Sequence, residues 1–171
     1  DADGLVSGAV HSTKDTLKPA LQILKTAPGT KLVSAFFLMV VPNCEFGENG
    51  TFVFSDCGLN EYPDSDSLSE IAISSSRSFK QLVGKEPKVA MLSYSSYGSA
   101  HSPLTEKVVE ATKILKEKKP DLICDGELQL DAAIVPEIAS RKAPSSPLKG
   151  MANTLIFPDL DAGNIGYKLV Q

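Results

Sequence analysis

One event recurs along this chain: a short apolar run breaks off abruptly into a loop of Asp, Gly, Ser, Glu, Gln or Asn. Val89-Ala90-Met91-Leu92 gives way to Ser93–Ser99, Leu122-Ile123-Cys124 to Asp125–Asp131, and Asn153–Phe157 to Asp159–Asn164. Between these runs lie segments with apolar residues at helical spacing, such as Leu68, Ile71, Ala72, Phe79 and Leu82, or Val108, Ala111, Thr112 and Leu115. Strands alternating with helices of this length specify an α/β fold, a mainly parallel sheet flanked by helices. In such a sheet the polar loops gather at the carboxyl ends of the strands, where ligands bind.

The remaining segments fill in the order. Leu5-Val6 is a short apolar stub before the polar loop Ser7–Thr13. Thr13–Lys25 carries Leu17, Ala20, Leu21 and Leu24 at helical spacing, and Pro28-Gly29 closes it. Leu32–Val41 is apolar on both faces and predicts a central strand, with Thr51–Phe54 as an antiparallel partner. Ser67-x-x-Glu70 predicts a capping box at the next helix, which Gly84 and Pro87 end. Helices are further predicted over Pro103–Lys118, Asp131–Arg141 and Ala162–Gln171.

Composition excludes several classes. The 171 residues carry a net charge of −4, so there is no basic footprint for nucleic acid. Lys113, Lys116, Lys118 and Lys119 cluster on what reads as the solvated face of a helix. The longest apolar run, Leu32–Pro42, falls far short of the ~20 residues that span a bilayer, and no signal-peptide pattern opens the sequence, so no membrane partner is expected. Cys44, Cys57 and Cys124 are too scattered for a disulfide framework or a zinc site. A reducing cytoplasm is the simplest setting, with Cys124 as inert core.

The loops themselves suggest a ligand. Each leads into a helix start, where free N–H groups and the helix dipole favour anions, and Gly8, Ser95, Gly98, Ser99 and Gly163 let the backbone approach closely. A phosphate-bearing ligand follows, although no phosphate-loop or nucleophile-elbow motif is present. His11 and His101 each sit in a polar loop with serine nearby. Asp125, Glu127 and Asp131 crowd seven positions. They suit acid–base work or a divalent metal, or else a turn residue and a helix-start charge, and this last reading is favoured over both. The same alternatives hold for Asp159 and Asp161.

At these loops the chain resembles the phosphate acetyl/butyryltransferase family. The matching runs are DGLVSGAVHSTKDTLKPALQIL from Asp3, SLSEIAISS from Ser67, VAMLSYSSYGSA from Val89, PDLICDGELQLDAAIVPEIA from Pro120, KAPSSPLKGMAN from Lys142 and LIFPDLDAGNIGYKLVQ from Leu155. The resemblance implies a two-domain isocitrate/isopropylmalate dehydrogenase-like α/β architecture, incomplete here: residues 1–28 as the edge of a split first domain, 29–160 as the second domain, 161–171 as the start of the return. It implies a homodimer with its site in the interdomain cleft. It also implies an acyltransferase that moves an acetyl group between CoA and inorganic phosphate, with CoA or acetyl-CoA as substrate and no covalently bound cofactor or metal. Alternatives are a butyryl-transferring member or a non-catalytic acyl-CoA or phosphate-binding module of the same fold.

Family members are longer than this chain on both sides, and their Asn-Asp-Leu-Ser-Arg-Gly motif, with its serine and arginine and an aspartate beyond, is not among these residues. No catalytic residue is therefore expected within the chain, and the isolated fragment is expected to be inactive. The substrate-binding candidates are Ser12, Thr13 and Lys18 on the CoA and phosphate side, where Lys18 replaces the usual arginine. Ser93, Ser95, Gly98 and Ser99 form an anion-accepting loop. Asp125, Glu127, Gln129 and Asp131 line the cleft floor, and Asp159 and Asn164 lie near the hinge.

Overall fold

The structure, a computed structural model, describes residues 4–171; Asp1, Ala2 and Asp3, where the expected first-domain edge begins, lie outside the described residues. The chain forms two compact units, one ending at Val33 and the other running Ser34–Gln171. The first holds one helix, α1 (Thr13–Ile23), whose N-cap Ser12 accepts a hydrogen bond from the Asp15 N–H at 3.2 Å. That bond satisfies one of the donors a helix start leaves open. Leu5 and Val6 form no strand and are exposed.

The second unit runs β1 (Phe36–Val40), an irregular turn α2 (Phe46–Asn49), β2 (Thr51–Ser55), α3 (Ser65–Val83), β3 (Lys88–Leu92), α4 (Pro103–Lys118), β4 (Ile123–Leu128), α5 (Leu130–Ile134), α6 (Pro136–Lys142), β5 (Thr154–Ile156) and α7 (Leu160–Val170). The sheet order is β1-β2-β5-β3-β4, with β2, β5, β3 and β4 mutually parallel and β1 antiparallel to β2. This is the expected mainly parallel α/β class.

Alternation along the strands sorts the core into two layers. Phe52, Phe54, Ala90, Leu92, Leu155 and Phe157 join Ala132, Ala133, Ala143 and Leu148 in one cluster with α5 and the loops around α6. The intervening residues Val53, Val89, Met91 and Ile156 are fully buried as well, where α3 and α4 cover the sheet with Leu68, Ile71, Phe79, Val108 and Leu115. Burying each such side chain contributes roughly 1.5–3 kcal/mol, so both faces of the parallel strands must be apolar.

Four expectations change. Leu32–Val41 is not a central strand; its strand is β1, at the sheet edge, with Val40 67% exposed and the Phe37 ring 4.1 Å from that of Tyr167. An apolar run reports that its faces want cover, not which strand it lies beside. The α3 cap is Asp64, not Ser67: the Asp64 carboxylate accepts from the Ser67 N–H at 2.8 Å. The reciprocal capping box occurs at α4, between Ser102 and Thr105. The expected helix over Asp131–Arg141 is two, because Pro136 holds Val135 in an extended conformation between α5 and α6. Finally, β4 does not stop at Cys124 but continues through Leu128.

That last extension depends on Gly126. A Cβ there would lie 2.6 Å from Met91 Cβ and 2.8 Å from both Met91 O and Thr112 Oγ1. Backbone cannot yield as a side-chain tip can, so Gly126→Ala is expected to lower stability by roughly 1–3 kcal/mol. The measurement is the urea midpoint at unchanged m-value; an unshifted midpoint would show that β4 does not approach β3 and α4 this closely.

Candidate functional site

Because β2, β5, β3 and β4 are parallel, their carboxyl ends share one edge of the sheet. The loops that follow them, including 93–102, Gln129 and 157–159, lie along that edge, as strand order requires. Asp125 and Glu127 are the exceptions. They sit inside β4 rather than in a loop past it, and each is only 3% exposed.

Their environment explains how two carboxylates tolerate burial. Lys116 Nζ, reaching back from α4, donates to Asp125 Oδ1 at 2.7 Å, and the Tyr97 hydroxyl donates to Asp125 Oδ2. Burial works to raise the Asp125 pKa, but bonds from Lys116, Tyr97 and Ser146 outweigh it and hold the carboxyl below its ordinary range. Burial works to lower the Lys116 pKa, and Asp125 more than offsets it, so the ammonium titrates above its ordinary range. The Lys116 side chain is itself 49% exposed, so it stays on the solvated face of α4 while its ammonium reaches in to Asp125. Lys118 likewise pairs with Asp66 and Glu70 at 2.6 and 2.7 Å.

Glu127 faces the same loop as Asp125. Its Oε1 accepts from the Ser95 hydroxyl and from the Gly98 N–H, both at 2.8 Å. Gln129 donates through Nε2 to the Tyr94 carbonyl and through its backbone N–H to Ser96 Oγ, each at 2.8 Å. Asp131 bonds the Ala132 N–H at the start of α5 and pairs with Lys142 at 2.7 Å, which also donates to Gln129 at 2.9 Å. So Ser95, Gly98, Asp125, Glu127 and Gln129 form one connected network, with Asp131 joined through Lys142. Ser99 enters through its hydroxyl, 3.2 Å from that of Ser95, and Ser93 through its own, which accepts from the Ser95 N–H.

Asp159 and Asn164 bond outside this network. Asp159 caps α7, accepting from the Ala162 N–H at 2.9 Å, and Asn164 donates to the Cys57 carbonyl at 3.3 Å. Ser12, Thr13 and Lys18 belong to the first unit, where all three are exposed. Both histidines are exposed, and among the described residues neither imidazole hydrogen-bonds a carboxylate.

Sequence reasoning missed Tyr97, Lys116, Lys107 and Asp56. Asp56, buried at the end of β2, accepts from the Ala35, Gly58 and Leu59 N–H groups. Lys107 reaches from α4 to the Pro158 carbonyl at 2.7 Å. An Asp directly after the apolar Thr51–Ser55 strand was the available signal for the first of these.

Burial pushes the Cys57 thiol up to about 12, with the neighbouring Asp56 charge adding to it, and the Cys124 thiol up to about 11. Neither supplies a thiolate near neutral pH. Among the described residues no group of three His, Cys, Asp or Glu is placed to hold a metal ion, and no helix is long and apolar enough to cross a membrane.

The Asp125–Lys116 pair has a pH signature. A depressed carboxyl stabilises the fold above its unfolded value of 3.8, and the effect is lost as pH falls through the lower folded value. A raised ammonium stabilises below 10.5 and is lost as pH rises through the higher folded value. Asp125→Asn is expected to destabilise by about 1–3 kcal/mol near neutrality, with the gap to wild type closing below pH 3.8. Urea midpoints across pH test this, and a gap of equal size at acid pH would show that charge is not its source.

Comparison with known proteins agrees with this architecture. The family model described as Phosphate acetyl/butaryl transferase matches residues 1–171. A protein named phosphate acetyltransferase from Acetivibrio thermocellus is 72% identical over 171 residues, all of this chain and 52% of that relative. One of the same name from Thermoanaerobacterium thermosaccharolyticum is 62% identical over 170 residues, 99% of this chain and 52% of its own length. A solved phosphotransacetylase from Streptococcus pyogenes superposes with a TM-score of 0.89 at 50% identity, covering 99% of this chain and 50% of that one. The chain thus spans about half the length of these curated relatives. By sequence along its whole length and by fold, the chain belongs to the phosphate acetyl/butaryl transferase family.

Proposed function

We propose that this chain forms part of an acetyltransferase that interconverts acetyl-CoA and phosphate with CoA and acetyl phosphate. The observation that carries the reading is the 72% identity, across all 171 residues, to a relative named phosphate acetyltransferase. Acetyl is favoured over butyryl because this relative and the 62% identical one both carry the acetyl name. In the reaction a CoA thiolate attacks the acetyl carbonyl of acetyl phosphate, the C–S bond forms, and the C–O bond to phosphate breaks with the electron pair leaving on phosphate. A carboxylate takes the thiol proton, and cationic donors hold the phosphate and the developing oxyanion.

The residues described here would supply walls and positioning rather than these steps. The strand-end edge offers the Ser93 and Ser99 hydroxyls, and the first unit offers Ser12, Thr13 and Lys18 toward CoA phosphates. Lysine keeps a positive charge there without the two-pronged geometry of arginine. The proposed domain division places residues 1–28 and 161–171 with a first domain and 29–160 with a second. A homodimer working in the cytoplasm completes the reading.

Two measurements test it. The protein expressed from its complete gene is expected to release CoA from acetyl-CoA only when phosphate is present, whereas the purified 171-residue chain is expected to form no acetyl phosphate; turnover by the 171 residues alone would falsify the assignment of chemistry to groups outside them. Lys18→Ala in the complete protein is expected to raise KM for CoA about tenfold with kcat little changed, and an unmoved KM would remove Lys18 from the CoA side.

A further inference from the structure

The Ser93–Ser99 loop has the composition of an anion cradle, yet the backbone N–H groups from Ser95 to Ala100 are already bonded. The Ser95 N–H bonds Ser93 Oγ at 3.3 Å, Ser96 N–H bonds Ser99 Oγ at 3.1 Å, and Tyr97 N–H bonds the Glu127 carbonyl at 3.3 Å. Gly98 N–H bonds Glu127 Oε1 at 2.8 Å, Ser99 N–H bonds the Ser96 carbonyl at 3.1 Å, and Ala100 N–H bonds Ser95 Oγ at 3.0 Å. Tyr97 and Gly98 both have positive φ, 49° and 77°, which turns the chain back over β4 and aims the Gly98 N–H inward. The anion in this cradle is the protein's own: the Glu127 carboxylate, 97% buried because it is 3% exposed.

We infer that Glu127 is a positioning residue, an internal anion that occupies the cradle of the Ser95–Ser99 loop and fixes it so that the loop meets substrate phosphate through the exposed side of Ser99 and the Ser93 hydroxyl, not through the backbone N–H groups of Ser95–Ala100. This rests on the acetyltransferase reading above. Two alternate positions of β4 and the residue that follows the strand divide the work: Asp125 takes Tyr97, Glu127 takes Ser95 and Gly98, and Gln129 takes Tyr94 and Ser96. Of these, only Glu127 supplies a charge to the loop's backbone. A carboxamide of the same shape can still accept from Gly98, whereas alanine leaves the cradle empty and able to take a small carboxylate from solution.

The test uses the protein expressed from its complete gene, as wild type, Glu127→Gln and Glu127→Ala, with Ser95→Ala as a second way of opening the cradle. Amide exchange at Gly98 is expected to accelerate roughly 10–100-fold in Glu127→Ala, less in Glu127→Gln, and to slow again when formate is added to the alanine variant. KM for acetyl phosphate is expected to rise about tenfold with kcat within a few-fold, again partly restored by formate. If Glu127→Ala does not fold, Ser95→Ala and Glu127→Gln must show the same ordering of exchange and KM. Unchanged Gly98 exchange overturns the positioning role. Faster exchange with unmoved KM overturns it too, while leaving the acetyltransferase reading intact. Absence of turnover by the wild-type protein overturns both.

Discussion

Burying a carboxylate is tolerable only if the interior supplies partners for it, and β4 buries two. Asp125 and Glu127 lie between the apolar residues Cys124 and Leu128 of the same strand, so each must recruit donors from whatever packs against it. Asp125 recruits a lysine from α4 and a tyrosine from the loop after β3; Glu127 recruits a hydroxyl and a backbone N–H from that loop. The requirement to satisfy these charges thereby fixes the conformation of the loop at the carboxyl end of β3. Order at the strand-end edge is a consequence of electrostatics one layer beneath it.

The apolar framework makes that arrangement possible. Helices on one face of the parallel strands and α5 with its neighbouring loops on the other leave the Asp125 and Glu127 side chains almost without solvent contact. Gly126 lets the strand approach Met91 and Thr112 without a side chain between them. In that dry setting each hydrogen bond to a carboxylate is stronger than at the surface, and each missing one is more damaging. The same exclusion of water raises the thiols of Cys57 and Cys124 and keeps them chemically silent.

Much of this was legible in the chain. Helical spacing in Ser65–Val83 and Pro103–Lys118, and the apolar run Val89–Leu92, placed α3, α4 and β3 within a residue or two, because periodicity reports which face is buried. Strand order was not legible: Leu32–Val41 has the composition of a central strand and supplies an edge one. Nor was the role of DGELQ. A run of Asp, Gly, Glu and Gln after three apolar residues carries every local signal of a loop, and only its pairing beside β3 makes it strand. The basic cluster on α4 does lie largely on an exposed face, but the pairing of Lys116 was not legible, since its partner lies on a different element.

The sequence by itself determined the α/β class, the helices and the family, because these follow from local periodicity and from runs of residues read in order. Tertiary structure alone decided which polar residues face outward and which inward. Asp125 and Glu127 read as loop residues in the chain, but in the fold each is 3% exposed and they accept hydrogen bonds from Tyr97, Ser95 and Gly98, since a carboxylate's surroundings depend on which donors lie within about 3 Å of it, and that is set by elements distant in sequence.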